Sequence, residues 1–326
     1  MAKVDLEGTL AVLRAADSFL ITTHTGPDGD AVGSMLGLYH FLRSLGKENV
    51  TCACQDPVPR IYRWMPGADE IGDRETLKGV YDLVVIIDVA QFERIGDIAE
   101  AIAPGQEVLI LDHHREEQPD GTVTFVDHTY SAASEIVMEL YDLAKIPLTR
   151  AAAECIYVGL TTDTGGFRYG NTNARSHTFA ARLLEAGVDV SDISARVFDT
   201  LSVPKLELLK RVLDRITVGE SGLYAYAHLR QEDMTAANAK PEDANGLINY
   251  VRNIEGVRVG IFFRELDSGL VKVSLRSRGE FNSAAVLKSF GGGGHAGAAG
   301  ATLAMSYAEA RDAIVSAVRA GLGEGA

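Results

Sequence analysis

The stretch Val108-Leu109-Ile110-Leu111-Asp112-His113-His114 joins a short apolar run to one carboxylate and two imidazoles. An apolar run of this length, bounded by polar residues, is typical of a strand buried in a parallel sheet. Parallel sheets bind their ligands beyond the carboxyl ends of their strands. The stretch therefore predicts a strand of an α/β sheet with a functional site at its carboxyl end.

Two other apolar runs end in the same way. Ser18–Thr23 is followed by His24, and Leu83–Ile87 is followed by Asp88. Between these runs, apolar residues recur at helical spacing over Ala31–Ser44, which indicates an amphipathic helix. This alternation of strand and helix predicts a parallel, doubly wound sheet.

The remaining periodic segments predict two domains and a linker. Residues 1–190 are expected to form an α/β domain, 191–215 a helical linker, and 216–326 a smaller α+β domain. In the first domain, the remaining strand is expected at Val50–Cys54 and the remaining helices at Ala132–Leu143, Ala151–Thr162 and Ala174–Ala186. In the second domain, strands are expected near Leu223–His228, Val257–Phe263 and Leu270–Leu275, and helices near Ser283–Phe290 and Tyr307–Gly321.

The composition limits the classes of partner. The chain has 326 residues and a formal net charge of -14, which argues against binding long nucleic acid in a basic groove. A short phosphorylated substrate remains compatible, because bound cations can supply a local positive field. No apolar stretch reaches the length of a transmembrane helix, and the N-terminus lacks a signal-peptide profile, so a cytoplasmic protein is expected. Cys52, Cys54 and Cys155 lack the usual zinc spacing and are expected to be core or surface residues.

The acidic and imidazole side chains form a candidate metal site if the strand ends converge. His24-x-x-x-Asp28-x-Asp30 lies in a Gly- and Pro-containing loop, and Asp163 would reach the site from the end of a helix. Two carboxylates about 4 Å apart repel by roughly 4 kcal/mol at an effective dielectric near 20, so such a cluster needs cations. Mixed carboxylate and imidazole ligands suit Mn²⁺. The pattern predicts a two-metal site for hydrolysis of phosphate esters.

Together these motifs resemble the DHH phosphoesterase superfamily, in the subgroup that has a C-terminal DHH-associated domain. The matching elements are His24-Thr25-Gly26-Pro27-Asp28-Gly29-Asp30, Asp88, Asp112-His113-His114, Asp163 and Gly291-Gly292-Gly293-Gly294-His295-Ala296-Gly297-Ala298-Ala299-Gly300. The resemblance covers nearly the whole chain. In length and layout the chain is most similar to the bacterial nano-RNase and pAp phosphatase subgroup.

The resemblance implies a ligand set for two Mn²⁺ ions, with Mg²⁺ or Co²⁺ as alternatives. The implied ligands of one ion are His24, Asp28 and Asp88, and those of the other are Asp30, Asp88, His113 and Asp163. Asp88 would bridge the two ions. Asp112 would orient a histidine, and His114 would face the phosphate and stabilise charge or protonate the leaving oxygen.

A second candidate site lies in the C-terminal part of the chain. The run Gly291–Gly294 can let backbone N–H groups converge on an anion, although a plain turn before an Ala-rich segment is the alternative. Arg276 or Arg278, upstream of it, can bind a terminal phosphate bidentately.

The resemblance also implies which residues contact the end of a short nucleotide. They are Arg276, Ser277 and His295, with Gly293 and Gly294 in the adjoining glycine run. Arg94 follows Asp88 closely and either reaches the scissile phosphate or lies on the surface as an ordinary arginine.

The implied activity is hydrolysis of short RNA or DNA oligonucleotides to mononucleotides and of 3′-phosphoadenosine 5′-phosphate (pAp) to AMP. A phosphodiesterase for cyclic di-AMP or pApA, a pyrophosphatase and a non-catalytic nucleotide sensor are the alternatives. A Rossmann dehydrogenase is disfavoured, because no G-x-G-x-x-G follows the first strand. No membrane association is expected, and a homodimer is as compatible with the sequence as a monomer.

Overall fold

The protein consists of two compact units in the computed structural model, Met1–Thr200 and Leu201–Ala326. The structure describes residues 2–77, 79–114 and 119–323, and for His295 only the backbone. The division falls within the segment expected to be a helical linker, between the helices Val190–Val197 and Val203–Asp214. None of the helices in these ranges combines the length and hydrophobicity needed to span a membrane.

Within the described ranges, the first unit contains a seven-stranded parallel sheet. Its strands are β1 (Ala2–Lys3), β2 (Ser18–Thr22), β3 (Asn49–Ala53), β4 (Ile71–Gly72), β5 (Leu83–Ile87), β6 (Val108–Asp112) and β7 (Val123–Val126). The order is β1-β7-β6-β5-β2-β3-β4, and every neighbouring pair is parallel. The predicted doubly wound sheet is confirmed, and its strand order reverses between β2 and β5. A reversal of this kind leaves a crevice at the carboxyl ends of the two strands.

The first unit buries both faces of this sheet. In β2, Phe19 and Ile21 belong to one apolar cluster and Leu20 to another. Helices cover the face that carries Phe19 and Ile21. The helices of the first unit are α1 (Leu6–Ala15), α2 (Gly29–Ser44), α3 (Ala133–Ala144), α4 (Arg150–Asp163), α5 (Ala174–Glu185) and α6 (Val190–Val197). The second face packs against the 3₁₀ segment Phe92–Ala101. Burial on both faces explains why the strands appear in the sequence as continuous apolar runs.

Helices α2 and α4 pack closely through glycines. A Cβ on Gly33 would lie 2.6 Å from the carbonyl oxygen of Cys155, and a Cβ on Gly159 would lie 2.6 Å from Oδ1 of Asp30. Small residues spaced four positions apart lie on one face of a helix, so the backbone of a neighbouring helix can approach that face closely. This contact brings the first turn of α2 beside the last turns of α4.

Within the described ranges, the second unit contains a six-stranded mixed sheet of order β12-β13-β11-β10-β9-β8. Its strands are β8 (Thr217–Val218), β9 (Tyr224–Leu229), β10 (Val259–Glu265), β11 (Val271–Ser277), β12 (Gly293–His295) and β13 (Ala298–Leu303). Only the β9–β10 pair is parallel among the pairings described. The helices are α7 (Val203–Asp214), α8 (Gln231–Ala236), α9 (Ile248–Arg252), α10 (Ser283–Lys288) and α11 (Tyr307–Gly321). The predicted α+β unit is present, and β8, β12 and β13 are additional to the predicted strands.

Candidate metal centre

Half-site A, defined here as His24, Asp28 and Asp88, forms at the point where the strand order reverses. His24 follows β2, and Asp88 follows β5 directly. Nε2 of His24 lies 3.6 Å from Oδ2 of Asp88 and 4.0 Å from Oδ1 of Asp28. Ligand atoms about 2.0–2.2 Å from one ion stand at separations of this order. The three side chains can therefore converge on a single cation.

Contacts within the loop and the first turn of the next helix orient half-site A. Nδ1 of His24 lies 3.0 Å from the carbonyl oxygen of Thr25. Because a carbonyl only accepts, Nδ1 carries the hydrogen and Nε2 is the nitrogen available to a metal. Asp28 is the N-cap of α2, and its Oδ1 accepts from the backbone N–H groups of Asp30 at 3.0 Å and Ala31 at 3.1 Å.

Half-site B, defined here as Asp30, His113 and Asp163, lies on the other side of Asp88. Nε2 of His113 is 3.4 Å from Oδ1 of Asp88, 3.7 Å from Oδ2 of Asp163 and 3.8 Å from Oδ2 of Asp30. Asp88 thus presents one oxygen to each half-site, as a carboxylate that bridges two ions must.

Distant parts of the chain orient the ligands of half-site B. Asp30 accepts from the backbone N–H groups of Ala133 at 2.5 Å and Ser134 at 3.0 Å, at the N-terminus of α3. Nδ1 of His113 donates to the carbonyl of Tyr130 at 3.3 Å. The side-chain amide of Asn171 donates to Oδ2 of Asp163 at 3.3 Å.

The polar atoms between the half-sites are buried without hydrogen-bond partners. Asp88 is 2% exposed, yet its Oδ1 and Nε2 of His113 make no hydrogen bond within the described ranges. Asp88 also has a left-handed backbone with φ of 63°, a conformation that aspartate and asparagine adopt more readily than other non-glycine residues. Two buried acceptor atoms that face each other with no donor between them fit a ligand set for cations.

The electrostatics of the cluster reflect charge crowded into a buried space. Burial and the charge of Asp88 raise the pKa of Asp30 to about 7. Burial raises the pKa of Asp163 to about 8, against the opposing charge of His113. Burial would also raise the pKa of Asp88, but the adjacent imidazoles of His113 and His24 hold that pKa below its usual range. Burial lowers the pKa of His24, but Asp88 more than offsets this and raises it to about 9. Without cations the site therefore holds protons, which bound metals would replace.

Asp112 supports both histidines of its motif. Its Oδ1 accepts from the backbone N–H of His113 at 2.8 Å and from that of His114 at 3.1 Å, and it lies 2.7 Å from Nδ1 of His114. Burial lowers the pKa of His114, but Asp112 and the charge of Asp88 more than offset it, so the pKa is raised. That Asp112 orients a histidine and that His114 acts on the leaving group remain predictions, which this geometry permits.

Arg94 lies beside the loop that carries half-site A. Its backbone carbonyl accepts from the N–H of Thr25 at 2.7 Å. The side chain is exposed and forms no ion pair with any residue of the described ranges. It can therefore meet an anion, and the predicted contact with phosphate stays a prediction.

In the second unit, Arg276 and Ser277 point to opposite faces of β11. Residues Lys272, Ser274 and Arg276 alternate with buried apolar side chains along the strand. The hydroxyl of Ser277 is buried and donates to the carbonyls of Phe281 at 2.9 Å and Ala296 at 3.0 Å. Both hydrogen bonds lie within the second unit and do not test the predicted contact of Ser277 with a nucleotide, which stays a prediction.

The glycine run forms part of an edge strand. Gly294 has φ of 136°, and a Cβ there would lie 2.5 Å from the carbonyl oxygen of Ala298. A Cβ on Gly293 would meet open space. Close strand pairing thus requires glycine at 294, and open space at 293 leaves room for a ligand. The side chain of His295, predicted to contact substrate, lies outside the described part of the structure.

The structure adds residues to the site that the sequence analysis did not single out. Asn171 donates a hydrogen bond to Asp163. Arg175 stacks over the ring of Tyr130, and the carbonyl of Tyr130 accepts a hydrogen bond from His113. For the contact between α2 and α4, the only sequence signal is the spacing of Gly29, Gly33 and Gly37 in α2. Polar residues in loops carry no comparable signal.

Comparison with known proteins identifies both units. Residues 18–160 match the DHH family N-terminal domain, and residues 219–324 match the DHHA1 domain. The chain is 36% identical to the bifunctional oligoribonuclease and PAP phosphatase NrnA of Thermus thermophilus, over 94% of this chain and 91% of the relative. It is 32% identical to the protein of the same name from Bacillus subtilis, over 88% and 90% of the two chains.

A solved structure supports the same relationship. An exopolyphosphatase-related protein from Bacteroides fragilis superposes with a TM-score of 0.89 at 30% identity, covering 97% of this chain and 95% of the other. The two domain matches and the full-length relatives show that the chain belongs to the DHH family of metal-dependent phosphoesterases.

Proposed function

We propose that this protein is a two-Mn²⁺ phosphohydrolase that degrades short oligonucleotides to mononucleotides and converts pAp to AMP. The observation that carries the proposal is Asp88, a buried carboxylate that offers one oxygen to each half-site. The full-length relatives named as oligoribonucleases and PAP phosphatases support the choice of substrate.

His24, Asp28 and Asp88 would hold one cation, and Asp30, Asp88, His113 and Asp163 the other. Bound divalent cations neutralise charge on the phosphate and make a nucleophile available at neutral pH. The carboxylate and imidazole donors suit Mn²⁺, with Mg²⁺ or Co²⁺ as substitutes. The unpaired Oδ1 of Asp88 and Nε2 of His113 support this assignment.

The remaining side chains would bind and orient the substrate. Asp112 holds the ring of His114, which protonates the leaving oxygen. Arg94 contacts the phosphate that is cleaved. The residues proposed to bind the far end of the nucleotide are Arg276, Ser277, Gly293, Gly294 and His295.

The chain's charge supports small substrates over long ones. A formal net charge of -14 disfavours a long polyanion. In the second unit, Lys272 and Arg276 lie on one face of β11, and Lys272 pairs across the sheet with Arg264 of β10. Adjacent cations on one sheet face repel unless an anion lies near, which supports phosphate binding there. We place the enzyme in the cytoplasm, as a monomer or homodimer, with residues 1–190 catalytic, 191–215 linking and 216–326 binding substrate.

Turnover of defined substrates tests the proposal. Chelator-stripped protein is supplied with Mn²⁺, Mg²⁺ or Co²⁺ and assayed on a dinucleotide, pAp, cyclic di-AMP, pApA and pyrophosphate. We expect hydrolysis of the dinucleotide and pAp with Mn²⁺, and a fall of about a thousandfold or more in Asp88→Asn. Asparagine tolerates the left-handed backbone at this position, so it changes the ligand and preserves the fold.

Two other results would contradict the proposal, each in favour of a different function. Preference for cyclic di-AMP or pApA would make the protein a phosphodiesterase of the cyclic dinucleotide class. Nucleotide binding without turnover of any substrate would make it a sensor.

A further inference from the structure

A short segment behind half-site B positions two of its ligands. This segment, residues 129–133, covers the end of the loop that follows β7 and the first residue of α3. The carbonyl of Tyr130 accepts from His113 at 3.3 Å, and the N–H of Ala133 donates to Asp30 at 2.5 Å. The position of segment 129–133 therefore sets the orientation of both ligands.

Arg175, at the start of α5, holds the outer side of segment 129–133. Its Nη2 donates to the carbonyl of Thr129 at 2.5 Å. Its guanidinium carbon lies 3.8 Å from the centre of the Tyr130 ring. A planar guanidinium can stack and donate at once, which an ammonium cannot do.

Glu135, in the first turn of α3, holds the inner side of the same segment. It is fully buried, and its Oε2 accepts from the N–H of Ser131 at 2.8 Å. Oε1 of Glu135 has no hydrogen-bond partner within the described ranges. Among the residues of those ranges, Arg175 is the cation that pairs with Glu135, and its Nε lies 3.5 Å from Oε2. A buried carboxylate requires such a partner.

The third ligand is tied to the segment through Asn171. The Asn171 amide donates to the carbonyl of Ser131 at 2.9 Å and to Oδ2 of Asp163 at 3.3 Å. The Ser131 hydroxyl donates back to the carbonyl of Asn171 at 2.6 Å. All three ligands of half-site B thus depend on where segment 129–133 lies.

We infer that Glu135 and Arg175 form a positioning pair that sets the affinity of half-site B for its cation and leaves half-site A unchanged. The inference rests on the metal centre proposed above. Half-site A is oriented by Thr25 and by the first turn of α2, and neither contact involves the pair.

Mn²⁺ titration of each half-site in isolation tests the inference. The full-length protein is prepared as His24→Ala, which leaves half-site B, and as Asp163→Asn, which leaves half-site A. Arg175→Lys is added to each background, and Mn²⁺ alone is titrated by calorimetry. We expect about 10-fold to 100-fold weaker binding in the His24→Ala background, and a change within about twofold in the Asp163→Asn background.

The chain contains a matched control pair on the same two helices. Arg182 of α5 pairs with Asp142 of α3, with Nη1 donating to Oδ2 at 2.6 Å. This pair lies about two turns further along both helices, away from segment 129–133. Arg182→Lys should leave Mn²⁺ binding unchanged in both backgrounds.

A second variant keeps the test decisive if Arg175→Lys impairs folding. Glu135→Gln retains an acceptor for Ser131 and removes the charge, and it should weaken half-site B selectively as well. Equal weakening of both half-sites, or no weakening of half-site B in either variant, would overturn the inference. Absence of Mn²⁺ binding in the unmodified protein would instead refute the proposed metal centre itself.

Discussion

The two half-sites of the metal centre are built from similar side chains but are oriented over very different sequence distances. In half-site A the orienting hydrogen bonds join residues one to three positions apart. In half-site B they join residues 8, 17, 103 and 104 positions apart. His24 and Asp28 are therefore oriented by their own loop and helix cap and need only the pairing of β2 with β5 to meet Asp88, whereas half-site B requires α3 and α4 to be docked.

This contrast implies that the half-sites respond to different perturbations. Changes in helix packing should weaken half-site B first, because its ligands are fixed by neighbouring elements. Changes in local capping should weaken half-site A alone. Asp88 presents one oxygen to each half-site, so its loss should weaken both.

The largest effect is expected for Asp88→Asn. The variant loses the charge that faces both half-sites, and turnover of a dinucleotide should fall by about a thousandfold or more. Steady-state kinetics with saturating Mn²⁺ measure this. A melting temperature close to that of the parent protein would show that the fold is intact, and turnover within tenfold (about 1.4 kcal/mol) of the parent would contradict the bridging role.

The next effect is expected for Gly159→Ala in the contact between α2 and α4. Its Cβ would lie 2.6 Å from Oδ1 of Asp30, so the ligand or the helix must shift. We expect a loss of about 1–3 kcal/mol in Mn²⁺ binding to half-site B, by calorimetry in the His24→Ala background.

Gly37→Ala is the control for that substitution. Its Cβ would lie 2.9 Å from Cγ1 of Ile156, an apolar side chain without a ligand role. It should affect the free energy of unfolding more than metal affinity. If Gly37→Ala weakens half-site B as much as Gly159→Ala, the effect comes from general helix packing and not from Asp30.

A more local effect is expected for Asp28→Ser. Serine caps a helix about as well as aspartate, so the unfolding free energy of the metal-free protein should change by about 0.5 kcal/mol or less. The lost carboxylate should weaken Mn²⁺ binding at half-site A by about tenfold or more, since even outer contacts are worth that much. The measurement is calorimetry in the Asp163→Asn background.

Asp5→Ser provides the matched control for the cap. Asp5 caps α1 through its Oδ1, which accepts from the N–H of Gly8 at 2.8 Å. It should change neither half-site. Unaltered Mn²⁺ affinity in Asp28→Ser would show that Asp28 acts only as a cap.

The smallest effect expected is proton release when Mn²⁺ binds. The pKa is raised to about 7 for Asp30, about 8 for Asp163 and about 9 for His24, so each carries a proton below that pH in the metal-free protein. Since cations bind the deprotonated ligands, about two or more protons should be released at pH 6.5.

The pH dependence of that release separates the two carboxyl groups from the imidazole of His24. Above about pH 8 the carboxyl groups of Asp30 and Asp163 are already ionised, whereas His24 still releases its proton until about pH 9. Calorimetry in buffers of different ionisation enthalpy measures the number released. A release that does not fall between pH 7 and pH 9 would contradict the raised pKa values of the carboxyl groups.

Strong local patterns made most of the first unit predictable. The strand after which Asp88 lies was predicted as Leu83–Ile87 and has those bounds. The helix predicted at Ala31–Ser44 begins earlier, at Gly29, because Asp28 caps it. Family resemblance, not periodicity, supplied the grouping of the metal ligands.

Other elements had no strong local pattern. The strand Ala298–Leu303 is rich in small residues and forms through pairing with β11, so its sequence does not favour a strand. The face of Ser277 followed from alternation along β11, but its hydrogen bonds to Phe281 and Ala296 did not.

The sequence by itself determined the apolar strands, the polar residues that end them and the cap of α2, because each depends on neighbours a few positions away. The tertiary structure alone decided the convergence of Asp30, His113 and Asp163 and the burial of Glu135 against Arg175. A polar side chain is exposed by default, and only the packing of distant elements around it can bury it and fix its direction.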